Sequence, residues 1–425
     1  MATERPHAII LGAGIAGLTA AFWLDKAGWR STILEDGPIK QGGQMLIISG
    51  PGYETLERMG VKGLKHLPFM LGENVVKSSS GKVLSTVGYK QTHCGVRSRI
   101  VCRGDLALAL AESLPASATI RYNVNLEATQ DDGPKFTAEL EGGEVLTADL
   151  FIGADGQRSV VRKTYWEDEE SVCLEHLGYS YATYDVTLSG VLEKPCESYH
   201  SPGRLDSYFE CKDDRIAALH IWRNDVVKPF SGPTLLYDIL KVVTGTKIPT
   251  VTKILRAAEE QGSVPIISPM ELVTLKNWSR GRVVLLGDAA HCLTPFSGQG
   301  AGMAMASAEV LAAELKAVTG EGADGVVKAL DRWEKRIRPP IERLQMKSRL
   351  VATNFLPKGK PAHMIRSLVA KMLPSDAVST LLSAGVSDEI DRAEIDELAE
   401  EDPQRLFVQE GRDGSGKRGL DEKVV

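Results

Sequence analysis

The segment His7–Leu11 is a short apolar run that breaks into Gly12-Ala-Gly14-Ile-Ala-Gly17. It continues as an apolar periodic stretch to Leu24 and returns as Arg30–Glu35, RSTILE. No other feature narrows the fold so far, because strand, glycine turn, helix and strand in that order make one βαβ unit. Each glycine has its own physical reason. Gly12 makes the tight turn, Gly14 lets a pyrophosphate approach the backbone, and Gly17 lets the helix pack on the strand. The phosphates then rest on a helix N-terminus, where free N–H groups and the helix dipole favour anions. Glu35 ends the second strand, 18 residues after Gly17, where a carboxylate accepts hydrogen bonds from ribose hydroxyls. The unit predicts dinucleotide binding but does not separate FAD from NAD.

The rest of the chain is that of a globular protein with room for more than one domain: 425 residues, 43% hydrophobic and 25% charged. The net charge of −6 is unevenly placed, since Ser387 to Val425 holds 13 acidic and 6 basic residues and the preceding chain is close to neutral. A near-neutral body excludes an electrostatic nucleic-acid footprint. No run reaches the roughly 20 apolar residues of a membrane span, and the polar N-terminus leaves no room for a signal peptide. The six cysteines are scattered with no CxxC pair, which predicts reduced thiols and a cytoplasmic protein. His93 and Cys94 near Cys102 lack metal-ligand spacing, so no metal site is expected.

Beyond the first unit, residues 53–59 read as a charged helix closed by Gly60, and 75–99 as extended chain with a turn at Ser78–Gly81. Thr119 to Leu126 and Phe136 to Leu150 alternate like antiparallel strands, and Ser207 to Trp222 reads as a hairpin broken at Lys212–Arg215. A strand at Gly281–Gly287 is followed by a loop and an Ala-rich helix through Leu315. Helical pattern then runs to about Leu382, punctuated at Pro339-Pro340, Pro357 and Pro361. The acidic stretch Asp388–Asp402 suits a solvated helix, and Gly411 to Val425 has almost nothing to bury, as in a disordered tail.

Two later segments separate FAD from NAD: DLFIGADGQRSVVR from Asp149 to Arg162, and GDAAHCLTPFSGQGAG from Gly287 to Gly302. With the first motif, in this order and spacing, they resemble the single-component, FAD-dependent aromatic hydroxylases typified by para-hydroxybenzoate hydroxylase. The resemblance runs from about Ala8 to Leu350. It implies that Asp155 and Gly156, with Ser159 and Arg162, brace the cofactor in a segment associated with both FAD and NAD(P)H. It further implies that Asp288 bonds the ribityl chain or ribose, and that the loop of Pro295, Gly298, Gly300, Ala301 and Gly302 passes the isoalloxazine ring. Arg103, in CRGDLALAL, looks like the family arginine that contacts FAD before a helix. Gly42 to Gly60, with Gly43 as a flavin contact, resembles the corresponding stretch of tetracycline-inactivating members. The bottom-up reading agrees, because glycines let backbone lie on a flat ring and a helix N-terminus favours the anionic reduced flavin. His291 is read as a support of this loop. The chain departs from the family pattern at Gly302, often Asn, and at Ser307, often acidic.

The implied fold is α/β: a Rossmann-like FAD-binding domain interleaved with a mixed β-sheet substrate domain, plus C-terminal helices. The FAD domain is expected from residues 1–75, 95–171 and 273–350, the substrate domain from 76–94 and 172–272, a helical segment from 351–386 and the tail from 387–425. The implied chemistry uses NADPH or NADH to reduce FAD, then O₂ to form a C4a-hydroperoxide whose distal oxygen passes to an aromatic or polycyclic natural-product-like substrate. Hydroxylation, epoxidation and Baeyer–Villiger insertion all remain open. So do a reductase or dehydrogenase of the same fold and a non-catalytic FAD-binding protein. Expected partners are a small-molecule substrate, O₂ and NAD(P)H, with no nucleic acid and no integral membrane segment. Substrate contacts are expected from the sheet between Val172 and Leu272, at Tyr181, Tyr208, His220, Trp222 and Arg223. The strand there puts His220 and Trp222 on one face and Leu219, Ile221 and Arg223 on the other, and the sequence does not say which face is the pocket wall. No catalytic base is legible; His220 and Arg223 are the candidates.

Overall fold

The computed structural model describes residues 5–39, 43–62, 64, 73–88, 98–131, 135–170, 173–211, 214–224, 233–244, 248–356 and 395–396. The βαβ unit forms from β1 (His7–Leu11), α1 (Ile15–Lys26) and β2 (Arg30–Glu35). β1 pairs parallel with β2 and with β11 (Leu150–Gly153), and β11 pairs parallel with β18 (Val283–Leu285). β7 (Ala118–Tyr122) and β17 (Ser279–Arg280) complete a six-stranded sheet in the order β17-β18-β11-β1-β2-β7. The central strands are continuous apolar runs because both faces are covered. One cover is α1 with α9 (Gly300–Ala317), whose alanines and leucines are buried nearly all round, as a helix inside the core must be. The other is a three-stranded antiparallel sheet of β8 (Leu126–Gln130), β9 (Phe136–Leu140) and β10 (Val145–Ala148). There Phe136 stacks on Phe151 at 4.4 Å.

The stretch from Thr119 divides differently from its alternation. β7 is parallel to β2, with Ile33 opposite Ile120, and alternates only because it is a sheet edge with one face half exposed. β8 to β10 are antiparallel as the pattern suggests, whereas β11 belongs to the parallel sheet.

The second large sheet has seven strands, β16 (Ile266–Val273), β12 (Leu174–Thr187), β15 (Arg215–Arg223), β14 (Arg204–Glu210), β13 (Cys196–Ser201), β4 (Glu73–Ser78) and β5 (Val83–Gly88), in that spatial order. Neighbours are antiparallel except β13 with β4, so the sheet is mixed. Boundaries at 76 and 272 fall inside β4 and β16 rather than between elements. α6 (Pro233–Thr244) and α7 (Pro249–Glu260) cover one face of this sheet, burying Leu240, Val251 and Ile254 against Tyr184 and Ala218. A ribbon of β3 (Met45–Ser49) and β6 (Ser98–Cys102) leads into α2 (Gly50–Met59) and α3 (Arg103–Glu112). Gly60 closes α2 in the left-handed conformation.

The helical pattern of the C-terminal part forms α10 (Gly322–Asn354), and Pro339 and Pro340 lie inside it without ending it. Its cross-links hold it: Trp333 donates to Ser307 at 3.0 Å, and Arg338 donates to the Leu275 and Lys276 carbonyls at 3.1 and 3.0 Å. The acidic stretch after Ser387 is not wholly solvated. Ile395 is fully buried in the main core, Arg336 donates to its carbonyl at 3.1 Å, and Asp396 pairs with the same guanidinium at 3.1 Å. An isoleucine in an acidic run supplies what the run's average composition hides. The remainder of the tail, Pro357, Pro361, and the His93–Cys94 pair lie outside the described residues.

Candidate active site

Three chain turns at the carboxyl ends of β1, β11 and β18 converge, and each is shaped by its glycines. Gly12 has φ +107°, donates to the Leu34 carbonyl at 2.8 Å, and a Cβ there would stand 2.5 Å from the Ala154 carbonyl oxygen. A Cβ on Gly17 would stand 2.1 Å from the Gly12 carbonyl oxygen, so α1 packs on the turn only with glycine at this position. Gly14 differs: it caps α1 with extended backbone and no side-chain partner, and a Cβ there would meet nothing within 4 Å. The α1 N-terminus therefore has space above it that a larger side chain would fill. Glu35 leans back over this turn and accepts the Ala13 N–H at 2.5 Å, while burial and then neighbouring Asp36 raise its pKa.

The second turn carries Asp155 and Gly156. One Asp155 carboxylate oxygen, Oδ2, caps α4 (Val160–Tyr165), accepting from Val160 at 2.6 Å and Val161 at 3.2 Å. Its other oxygen, Oδ1, is buried with no protein partner. Ser159 caps Arg162 N–H at 2.9 Å, and the fully buried Arg162 side chain donates to the Ala289 carbonyl at 3.0 Å and the Gln157 carbonyl at 2.7 Å. Arg162 thus locks the second turn to the third.

The third turn begins at Gly287 and α8 (Asp288–His291). The Asp288 side chain is solvent-accessible yet deep in the body, so it lines an internal crevice. Its surroundings raise its pKa by desolvation, while the Arg103 charge opposes that rise. Arg103 is itself accessible at the start of α3 and anchored by its own N–H, which donates to Gln44 O at 2.8 Å. From Pro295 the loop turns at Gly298, φ +65°, and enters α9 at Gly300, with Ala301 half-buried and Gly302 buried. Gly302 faces α2, where a Cβ on Gly52 would stand 2.2 Å from the Gly302 Cα. Sequence reasoning assigned no job to Gly52. His291 is buried beside Trp278 at 4.8 Å, and burial lowers its pKa to about 4. Ser307 accepts from Trp333 Nε1 at 3.2 Å rather than approaching the crevice.

The seven-stranded sheet resolves the question of faces. His220 is fully buried, with Nδ1 2.8 Å from Asp206 and Nε2 3.0 Å from the Tyr184 hydroxyl. It shares its face with Tyr208 and Trp222, and that face packs on α6 and α7, so these three do not reach the crevice. The opposite face carries Tyr179, Tyr181, Leu219, Ile221 and Arg223. Tyr179 and Ile221 pack with Phe296 of the third turn and with Leu356. Arg223 lies over the Tyr179 ring and donates to the Tyr179 hydroxyl at 2.8 Å and the Leu356 carbonyl at 3.1 Å, which makes it a brace for the end of α10. Tyr181 bonds Ser268, and its phenol, pushed up to about 12 chiefly by burial, feels the charges of Asp288 and Arg103. Sequence reasoning also passed over Ser268, which donates to Gln157 at 3.1 Å and so ties β16 to the second turn.

A buried carboxylate oxygen without a partner, an open helix N-terminus and an accessible Asp–Arg pair inside the body suit a long ligand bearing phosphates and hydroxyls. FAD fits that donor set. Among the described residues, no group of three His, Cys, Asp or Glu is placed to hold a metal ion, and no helix is long and apolar enough to cross a membrane. Among the described residues Cys102, Cys173, Cys196, Cys211 and Cys292 are buried thiols outside any disulfide.

The chain matches the FAD binding domain family over residues 5–172 and 253–348. It belongs to that family, and within it to the FAD-dependent monooxygenases of the single-component class. It is 31% identical over 356 residues to a 2-heptyl-3-hydroxy-4(1H)-quinolone synthase of Mycobacteroides abscessus, covering 80% of this chain and 88% of that protein. A flavin-dependent monooxygenase of Legionella longbeachae is 25% identical over 373 residues, covering 83% and 90%. In fold, the chain is similar to the tetracycline destructase Tet(51), with TM-score 0.76, 21% identity, and coverage of 91% and 99%.

Proposed function

We propose that this monooxygenase takes electrons from NADPH or NADH and places one oxygen atom of O₂ on an aromatic or polycyclic, natural-product-like molecule held between the seven-stranded sheet and the Pro295–Gly302 loop. When bound, FAD supplies the electron storage and the oxygen activation. The chain supplies placement. The α1 N-terminus and Gly14 receive the pyrophosphate, Glu35 the ribose, and Asp155, Asp288 and Arg103 the polar middle of the cofactor. Gly298, Gly300, Ala301 and Gly302 provide a flat backbone edge for its ring system.

The observation that carries this reading is Tyr181. It is the polar side chain that the sheet turns toward the crevice, within electrostatic reach of Asp288 and Arg103. With a pKa of about 12 it stays protonated near neutral pH, and a substrate oxygen that takes the place of Ser268 receives its hydrogen bond. Leu219, Ile221 and Phe296 around it supply apolar walls that exclude water. The similarity to a quinolone synthase supports a planar, electron-rich ring system as the substrate class.

The test is oxygen uptake coupled to NADPH or NADH oxidation over a panel of phenols, quinolones and polyketides, with product masses read alongside. A substrate accelerates oxidation, releases little peroxide and gains one oxygen atom. Oxidation that no panel member accelerates, with all reducing equivalents recovered as peroxide, defeats the reading.

A further inference from the structure

At one end of the seven-stranded sheet, three charged side chains join both halves of the molecule. Arg215 opens β15, and its guanidinium reaches Asp105 Oδ2 in the first turn of α3 at 3.2 Å and Asp185 Oδ2 on β12 at 3.5 Å. The other oxygen of Asp185 accepts the Gly43 N–H at 3.3 Å. Gly43 sits at φ +85°, and the next residue, Gln44, accepts the Arg103 N–H. Two segments assigned to the cofactor, the Gly43 turn and the Arg103 end of α3, are thus held by one arginine and one aspartate of the opposite sheet.

The contacts are shielded well enough to matter. The side-chain exposures are 14% for Arg215, 20% for Asp105 and 29% for Asp185, well below those of a fully solvated ion pair. Beneath them lies an apolar patch of Cys102, Phe209, Cys211 and Ala217, with Met45 and Ile100 against it. That patch is soft and without direction, so the charged groups above it set the register. An arginine suits the task because its planar fork spans two carboxylates, where a lysine is a point charge.

We propose that Arg215 and Asp185 are positioning residues for FAD. They clasp the Gly43 turn and the Arg103 end of α3 to the sheet that faces the ring, and so fix the cofactor's distance from the substrate wall. The proposal rests on the flavin assignment given above, and its test separates the two.

The full-length chain and its R215Q, R215K and D185N variants are titrated with FAD by flavin fluorescence. The visible absorbance of the bound flavin and the melting temperature are recorded in parallel. R215Q is expected to weaken FAD about tenfold and alter the flavin band, the loss of one charge-assisted contact network. R215K recovers part of the affinity, and D185N shifts the band in the same direction with a smaller loss. FAD affinity within twofold of the unmodified chain and an unchanged spectrum in R215Q and D185N overturn the clasp, even if melting temperature falls. If R215Q does not fold, R215K and D185N decide by the same criteria. An unmodified chain that takes up no FAD overturns the flavin assignment, and the clasp with it.

Discussion

Gly52 and Gly302 meet backbone to backbone where α2 crosses α9, at a separation that puts a Cβ on Gly52 2.2 Å from the Gly302 Cα. The relationship is one-sided. A Cβ on Gly302 would meet the Ser49 carbonyl oxygen at 3.5 Å and Gly52 Cα at 3.7 Å, ordinary contact distances. Gly52→Ala must push two buried helices apart, at about 1–3 kcal/mol, and should lower both melting temperature and FAD affinity. Gly302→Ala should leave melting temperature unchanged or slightly raised. Calorimetry of the pair checks this; equal destabilisation by both would show that the crossing is not what limits the site.

Asp288→Ala removes the accessible carboxylate that faces Arg103, and Gly14→Val fills the space above the α1 N-terminus. Both should be purified without flavin, seen as loss of the visible absorbance. Full flavin occupancy in both would sink the site assignment.

The docking of Ile395 makes the acidic C-terminal stretch part of the fold at that point. Ile395→Ala should cost about 2–4 kcal/mol through lost burial and the cavity left behind. Truncation after Ser387 removes that contact as well as the net negative charge, so it should lower the melting temperature. Identical unfolding midpoints for the full and truncated chains in urea would show that Ile395 contributes nothing.

His291 gives the protein an acid limb. Its folded pKa of about 4 lies below the ordinary 6.5, so the unfolded chain binds its proton first as pH falls. Stability from keeping this ring neutral is present above pH 6.5 and is lost progressively down to about pH 4, amounting to about 3 kcal/mol. His291→Asn should flatten the melting-temperature profile across that window. A profile as steep as that of the unmodified chain would assign the acid limb to other groups.

The two faces of the seven-stranded sheet should respond differently. His220→Ala removes one of the two partners of buried Asp206, leaving Arg204 at 2.9 Å, and opens a cavity beside Tyr184; it should cost about 2–4 kcal/mol while sparing turnover of the folded fraction. Tyr181→Phe should leave melting temperature alone and lower kcat/KM about tenfold for whichever panel compound is turned over. Reversed phenotypes would put the substrate on the helix-covered face.

The flavin half was legible because its constraints are local. Gly12 and Gly298 occupy turns that strain other residues, Gly17 lets α1 pack on the first of them, and such positions stand out in one dimension. The sheet was legible as a sheet, but not by face, since alternation says that His220 and Arg223 point apart without saying what covers either. That depends on α6 and α7, which lie beyond β15 in sequence. Gly52 and Ser268 escaped for the same reason: each earns its place through one partner, Gly302 or Gln157, far along the chain. Ile395 was hidden by the charges around it.

The sheet order β17-β18-β11-β1-β2-β7 carries a consequence for synthesis. The glycine turn at Gly12 leaves the ribosome early, but two of the six strands beneath it belong to residues 279–285, and the helix that roofs it ends at Ala317. Until then β11 is an unpaired apolar edge, the kind of surface that invites wrong partners. Assembly of that turn therefore waits for residues far along the chain, and the interval of synthesis between β11 and β18 is when this protein most needs a chaperone.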